Sequence, residues 1–94
     1  MVTRKMTVMN DLGLHARAAA AMVVTLDDFS SQIMVRQGEK SANARSILDL
    51  LLLGASTGSV IEVTAAGDDE ELAIAAITAL VLEGFGETGL GEGN

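Results

Sequence analysis

Apolar side chains alternate with polar ones in three stretches of the chain and gather into helix-like runs in three others. Residues 3–9 place Met6 and Val8 on one face, with Arg4 the exception, and predict a strand. Asn10-Asp11-Leu12-Gly13 is turn chemistry. Residues 16–27 are alanine-rich and helix-favouring, and they end in Asp27-Asp28. In 31–37, Ile33 and Val35 alternate with Gln32 and Met34, a second strand, and Gly38-Glu39-Lys40 turns into a short extended piece over 40–43. Ser46 opens a short helix through Leu53, which Gly54 and Gly58 close. Val60–Ala66 alternates again, with Ile61, Val63 and Ala65 on one face. Asp68-Asp69-Glu70-Glu71 then sets four carboxylates where the positive end of a helix favours them, and that helix is expected to reach about Glu83.

The order β-α-β-β-α-β-α predicts an α+β fold: an open-faced β-sandwich, with a four-stranded antiparallel sheet covered on one face by three helices. Gly13, Gly38, Gly54, Gly58 and Gly67 all fall at predicted boundaries, so the levels of the reading agree. From Gly84 on, five glycines and almost no core-forming residues predict a disordered tail. The domain is bounded at 1–86 and the glycine-rich tail at 87–94.

Composition narrows the function by exclusion. Ninety-four residues are one domain's worth of chain. The absence of cysteine removes disulfides, thiolate metal sites and thiol catalysis, and fits a reducing, cytoplasmic compartment. A single histidine, His15, cannot build a multi-histidine metal site, and no cofactor is implied. Six Lys+Arg against thirteen Asp+Glu give a net charge of −7, which argues against nucleic acid or an anionic membrane as partner. Two phenylalanines are the only aromatics, so bases would find no stacking platform. The longest apolar runs (18–24, 50–53 and 72–82) fall short of the roughly 18 residues needed to cross a bilayer. No targeting segment is visible either, because Thr7, Asn10, Asp11 and His15 interrupt any apolar h-region.

The chemistry concentrates in Gly13-Leu14-His15-Ala16-Arg17-Ala18-Ala19. Gly13 permits a left-handed turn, which leaves His15 at or beside the N-cap of the first helix. The unpaired N–H groups of Ala16, Arg17 and Ala18 make that helix start a ready anion site, and Arg17 adds a forked positive charge. The positive helix end favours a neutral imidazole, with a ring nitrogen free as nucleophile. These parts describe a histidine that accepts a phosphoryl group. They equally allow a simple capping histidine and a solvated surface arginine.

Gly13-Leu14-His15-Ala16-Arg17 followed by a small-residue helix resembles the active-site signature of the HPr family, the histidine phosphocarriers of the phosphoenolpyruvate-dependent phosphotransferase system. Ser41-Ala-Asn-Ala-Arg-Ser46-Ile-Leu, Leu53-Gly54-Ala55, Gly58 and Val60-Ile-Glu-Val resemble its middle segment at the expected spacing, and Ala66-Gly67-Asp68-Asp69-Glu70 its end. The similarity spans roughly residues 3 to 86. It implies that His15 takes phosphate on Nδ1 from phosphorylated enzyme I and passes it to an enzyme IIA, with Arg17 neutralising the phosphate. Such a protein is a covalently phosphorylated carrier and not an enzyme with a free substrate. Ser46 matches a serine that some bacteria phosphorylate through an HPr kinase/phosphorylase.

The chain departs from the family pattern in two respects. Ala18 stands where proline usually follows the arginine; proline would preorganise the first helical turn, so slower transfer is expected. Many sugar-branch members carry lysines on the docking face, whereas this chain has Val24, Asp27 and Asp49 on the two helices beside the site. The Glu83-Gly84-Phe85-Gly86-Glu87 ending and the overall acidity resemble NPr, the nitrogen-branch type.

Ser46-Ile47-Leu48-Asp49 fits a capping box with Asp in place of Glu, so Ser46 reads as an N-cap whether or not it is modified. The helix it opens is apolar at six of eight positions, more than one core-facing stripe needs. Ala16, Ala20, Val24, Ile47, Leu48 and Leu51 are therefore expected to form a partner-docking patch near His15. A fully buried short helix is the alternative. The last helix is similarly apolar all round, consistent with an oligomer or with mere tolerance for alanine. Two other functions compete: a regulatory binding module of the same fold, controlled through Ser46 and using His15 little, and an acyl-carrier-type protein. The second fails because Arg45, not Asp, precedes Ser46 and because three strands do not suit an all-helical carrier.

Overall fold

The computed structural model describes residues 1–86. Four strands, β1 (Val2–Thr7), β2 (Gln32–Gln37), β3 (Lys40–Asn43) and β4 (Val60–Ala66), form one antiparallel sheet in the order β1-β4-β2-β3. Three helices, α1 (Ala16–Leu26), α2 (Ile47–Leu53) and α3 (Glu70–Leu82), cover one face, and a short 3-10 turn (Gly84–Gly86) follows. This is the predicted βαββαβα open-faced sandwich.

The period of two in the strands decides which face is covered. Met6 and Val8, Ile33 and Val35, Ala42, and Ile61, Val63 and Ala65 turn inward. Ala18, Ala19, Met22 and Leu26 of α1 meet them, with Leu50 and Leu53 of α2 and Ala73, Ile74, Ile77 and Val81 of α3. Register follows the same faces, pairing Met6 with Ile61 and Val35 with Val63. The predicted first strand ran to residue 9. Val8 leaves the ladder, yet its N–H donates to the Ser59 carbonyl at 2.9 Å and its carbonyl accepts from Gly58 at 2.7 Å.

Residues 84–86 correct the expectation of a tail starting at Gly84. Phe85 is only 4 % exposed and belongs to the core, and it adopts a left-handed φ of 57° to get there. Burying its ring offsets the roughly 1–2 kcal/mol that this backbone conformation costs an L-residue. The rest of the predicted tail, 87–94, lies outside the described residues.

The acidic run before α3 does more than complement the helix dipole. Asp69 turns back to the start of β2, where its carboxylate accepts from the Ser31 hydroxyl, from Ser30 N–H at 2.9 Å and from Ser31 N–H at 3.0 Å. Those three donors, the Ser31 hydroxyl first, hold its carboxyl below the usual value of 3.8. Glu70 accepts from Gly67 N–H at 3.1 Å and lies 3.0 Å from the Met1 amino group, chiefly responsible for lowering its pKa. Gly67 is needed for closeness: a Cβ there would fall 2.8 Å from Ser31 Cα. No helix among the described residues is long and apolar enough to cross a membrane.

Candidate functional site

The loop ahead of α1 is fastened from two sides. Asn10 donates through Nδ2 to the Gly13 carbonyl at 2.7 Å, and Gly13 N–H returns to the Asn10 carbonyl at 3.2 Å. Leu14 N–H donates to the Ala55 carbonyl at 2.8 Å, pinning the loop to the exit of α2. Gly13 has φ of 65°, and a Cβ would sit 2.6 Å from the Ala55 carbonyl oxygen, so both turn and close approach demand glycine.

His15 leaves this loop as the N-cap of α1, half-buried and extended in backbone. Its Nδ1 accepts the Arg17 backbone N–H at 3.2 Å. A ring nitrogen that accepts carries a lone pair, so a neutral His15 keeps its proton on Nε2. The nitrogen with the lone pair therefore points at the helix start, where a negative group is best received. The Arg17 side chain is exposed, and among the described residues no carboxylate pairs with it. Ala18, at the position where the family pattern has proline, is fully buried beneath the same turn. Among the described residues no three His, Cys, Asp or Glu side chains converge as a metal site would need.

The two helices beside His15 run in opposite directions. Ala55, after α2, touches Leu14 before α1, while Arg45, before α2, reaches the far end of α1. Ser46 and His15 thus lie toward opposite ends of the helix pair, in which the seven residues of α2 span about 10 Å. Of the predicted patch, Leu51 lies toward the histidine end, and Ile47 and Leu48 toward the Ser46 end. Ala16, Val24 (66 % exposed), Ile47, Leu48 (65 %) and Leu51 are exposed and Ala20 is half-buried, while Leu50 and Leu53 alone of α2 are buried. Leu12, 69 % exposed on the site loop, extends the apolar surface beyond the predicted set. An apolar side chain among turn residues was the available signal.

Ser46 caps α2 as expected: its Oγ accepts Asp49 N–H at 3.1 Å. The other half of the box departs from expectation. Asp49 reaches Asn43 N–H at 3.2 Å, while Ser46 N–H goes to the Asn43 carbonyl. The Asp49 carboxylate therefore also ties α2 to β3. Arg45, part of the family-like segment over 41–48 and a mismatch to the acyl carriers, is a structural clamp. Its guanidinium donates to the carbonyls of Leu26 at 2.9 Å, Phe29 at 2.7 Å and Ser31 at 2.9 Å.

Known proteins share this fold. The family model described as "PTS HPr component phosphorylation site" matches residues 2–83. The chain belongs to the HPr family, the phosphocarriers of the phosphotransferase system, a family that includes the NPr type. It is 43 % identical over 84 residues to the phosphocarrier protein NPr of Shewanella violacea, covering 89 % of this chain and 92 % of that protein. To the phosphocarrier protein HPr of Xylella fastidiosa (strain Temecula1) it is 41 % identical over 87 residues, covering 93 % and 98 %. The crystal structure of HPr-C-His from Thermoanaerobacter tengcongensis superposes with a TM-score of 0.89 at 45 % identity, over 94 % of this chain and 99 % of that one.

Proposed function

We propose that the protein is a cytoplasmic histidine phosphocarrier in which His15 receives a phosphoryl group from phosphorylated enzyme I and delivers it to an enzyme IIA domain. The observation that carries this reading is the lone pair of His15 Nδ1 directed at the Arg17 N–H of the first helical turn. In the forward step Nδ1 attacks phosphorus, the new N–P bond forms as the bond to the donor breaks, and the departing electron pair leaves with the donor. The proton on Nε2 stays in place. The Arg17 N–H then donates to a phosphoryl oxygen, with the guanidinium of Arg17 turning onto the group as a second, charged donor. Transfer onward reverses the step on the acceptor.

Docking falls to Ala16, Ala20, Val24, Ile47, Leu48 and Leu51, an apolar band between the two helix ends. Ser46, at the far end of that band, is the candidate regulatory site for a serine kinase of the HPr kinase/phosphorylase type. A phosphate there would suit a helix N-terminus and would add about −1.5 to −2 charge to a face already acidic at Asp27 and Asp49.

The decisive experiment incubates the protein with labelled phosphoenolpyruvate and enzyme I of the source organism. An acid-labile phosphate is expected on the native protein and lost in His15→Ala. An unlabelled native protein, with every enzyme I of that organism, would instead favour a regulatory module that keeps the fold and binds partners without carrying phosphate.

A further inference from the structure

We infer that Asn10 is a positioning residue for His15: by holding the Gly13 carbonyl it fixes the backbone of the histidine and so aims Nδ1 at the first turn of α1. The segment ahead of that helix has a pliable point. Gly13, two residues before His15, sits at φ of 65° and has no side chain to wedge it in place. The peptide plane between Gly13 and Leu14 is therefore free to rock unless both of its polar groups are held.

Both are held. On one side of the plane, Leu14 N–H donates to the Ala55 carbonyl at 2.8 Å. On the other, the Gly13 carbonyl accepts Asn10 Nδ2 at 2.7 Å, and it also accepts His15 N–H at 3.0 Å, closing a three-residue turn about Leu14. Asn10 is itself anchored, two residues after Val8, whose N–H and carbonyl are bonded to Ser59 and Gly58. His15 is then fixed from both ends. The Gly13 carbonyl sets its N–H, and its own carbonyl accepts Ala19 N–H at 2.8 Å, the first bond of the helix. The imidazole swings from the Cα between these ties. A shift of the Gly13 carbonyl would carry Nδ1 away from the Arg17 N–H that it meets at 3.2 Å.

Burial separates Asn10 from an ordinary turn asparagine, which closes its turn in water. Asn10 is 5 % exposed, and among the described residues Ser31 is the other buried polar side chain. Ser31 directs its hydroxyl to Asp69 and so ties the start of β2 to α3. Asn10 directs its amide to the loop that carries the imidazole. Its cover is the 84–86 turn: a Cβ on Gly84 would lie 3.5 Å from Asn10 Cβ, and the Phe85 that follows is core. Away from water the bond to Gly13 has little competition and is stiffer for it.

The consequence for transfer rests on His15 being the phosphate acceptor proposed for this protein. Nδ1 must meet phosphorus in line with the bond that breaks, and a misplacement of about 1 Å costs on the order of a hundredfold in rate. Two variants separate positioning from folding. Asn10→Leu keeps the outline of the side chain without its donor, whereas Asn10→Ala also leaves a cavity, so the two differ in stability and agree in lacking the bond. Nitrogen-15 NMR of the full chain, at a pH where His15 is neutral, reads the Nδ1 resonance and the Arg17 amide. In both variants Nδ1 should move toward the shift of an unbonded ring nitrogen, and the Arg17 N–H toward that of a solvated amide. Transfer at saturating enzyme I should fall about tenfold in both, with the enzyme I concentration at half-maximal rate unchanged. Ser31→Ala should lower stability and leave resonances and rate as they are.

Native resonances in Asn10→Leu overturn the inference, and so does an unaltered rate where the native protein carries phosphate. A loss that follows instability, present in Asn10→Ala and Ser31→Ala but absent in Asn10→Leu, marks a purely structural role and overturns it too. A native protein that takes no phosphate overturns the carrier reading alone, and the two resonances still decide the role of Asn10.

Discussion

Arg45 donates a hydrogen bond to the Leu26 carbonyl at 2.9 Å, joining the residue before the α2 cap to the last turn of α1. With the Phe29 and Ser31 carbonyls also on this guanidinium, one side chain satisfies the end of α1 and the turn into β2. The relation between α1 and α2 thus depends at this end on a cation that belongs to neither the histidine turn nor the proposed docking patch.

Arg45→Ala should lower stability by about 2–3 kcal/mol, because three carbonyls lose a charged donor in a partly buried place. Arg45→Lys should recover only a minor part, since an ammonium cannot span three acceptors as the planar fork does. Urea unfolding midpoints of the two variants measure both effects. Equal midpoints for the Ala variant and the native protein would remove the clamp from the account.

Ala18→Pro should raise the rate of phosphotransfer through His15. Proline in the first helical turn has its φ already set for the helix, so less ordering is left for the moment when phosphate arrives. Single-turnover transfer of labelled phosphate from enzyme I checks this. A rate equal to or below that of the native protein would count against the idea that alanine loosens the helix start.

Ser46→Asp should weaken transfer from enzyme I by several-fold while leaving the thermal unfolding midpoint within a few degrees of the native one. The cap can be kept, because aspartate accepts the same Asp49 N–H that the serine hydroxyl does. What changes is charge at one end of the proposed docking face. Unchanged kinetics would separate Ser46 from partner recognition.

Acid sensitivity should centre on Asp69. Its folded pKa lies below the usual 3.8 because the Ser31 hydroxyl and the Ser30 and Ser31 amides stabilise the carboxylate. A depressed folded value means the contribution is complete above the unfolded pKa and disappears as pH falls through the folded one. Asp69→Asn should therefore be less stable at neutral pH and lose less on acidification below about pH 4. Glu70, lowered mainly by the Met1 amino group, acts in the same direction and remains in the variant. Urea midpoints measured from neutral pH down to acid reveal the difference in slope.

Strand alternation and turn glycines made the architecture readable, because a period of two and a positive φ are local properties of the chain. The histidine and its cap were readable for the same reason: Gly13, His15 and Arg17 act within five residues. Phe85 was not, since a phenylalanine between two glycines looks like loop, and only packing beneath the helices shows that its ring is core. Arg45 was missed because its acceptors lie 14 to 19 residues away and are backbone carbonyls, which carry no residue signature. Asp69 and Glu70 were read as dipole partners, and their tie to the start of β2 and to Gly67 needed the third dimension.

The antiparallel setting of α1 and α2 has a consequence for how any charge at Ser46 is sensed. The seven residues of α2 place it about 10 Å from the histidine end, beyond the screening length of about 8 Å in physiological salt. Ions in solution would mask much of it from the imidazole. Small phosphate donors reacting at His15 should feel little of such a charge, whereas a protein broad enough to rest on both ends of the helix pair would meet it directly. If His15 is the phosphate acceptor proposed above, a charge at Ser46 would let the protein discriminate between donors by their size alone, with no change at the imidazole itself.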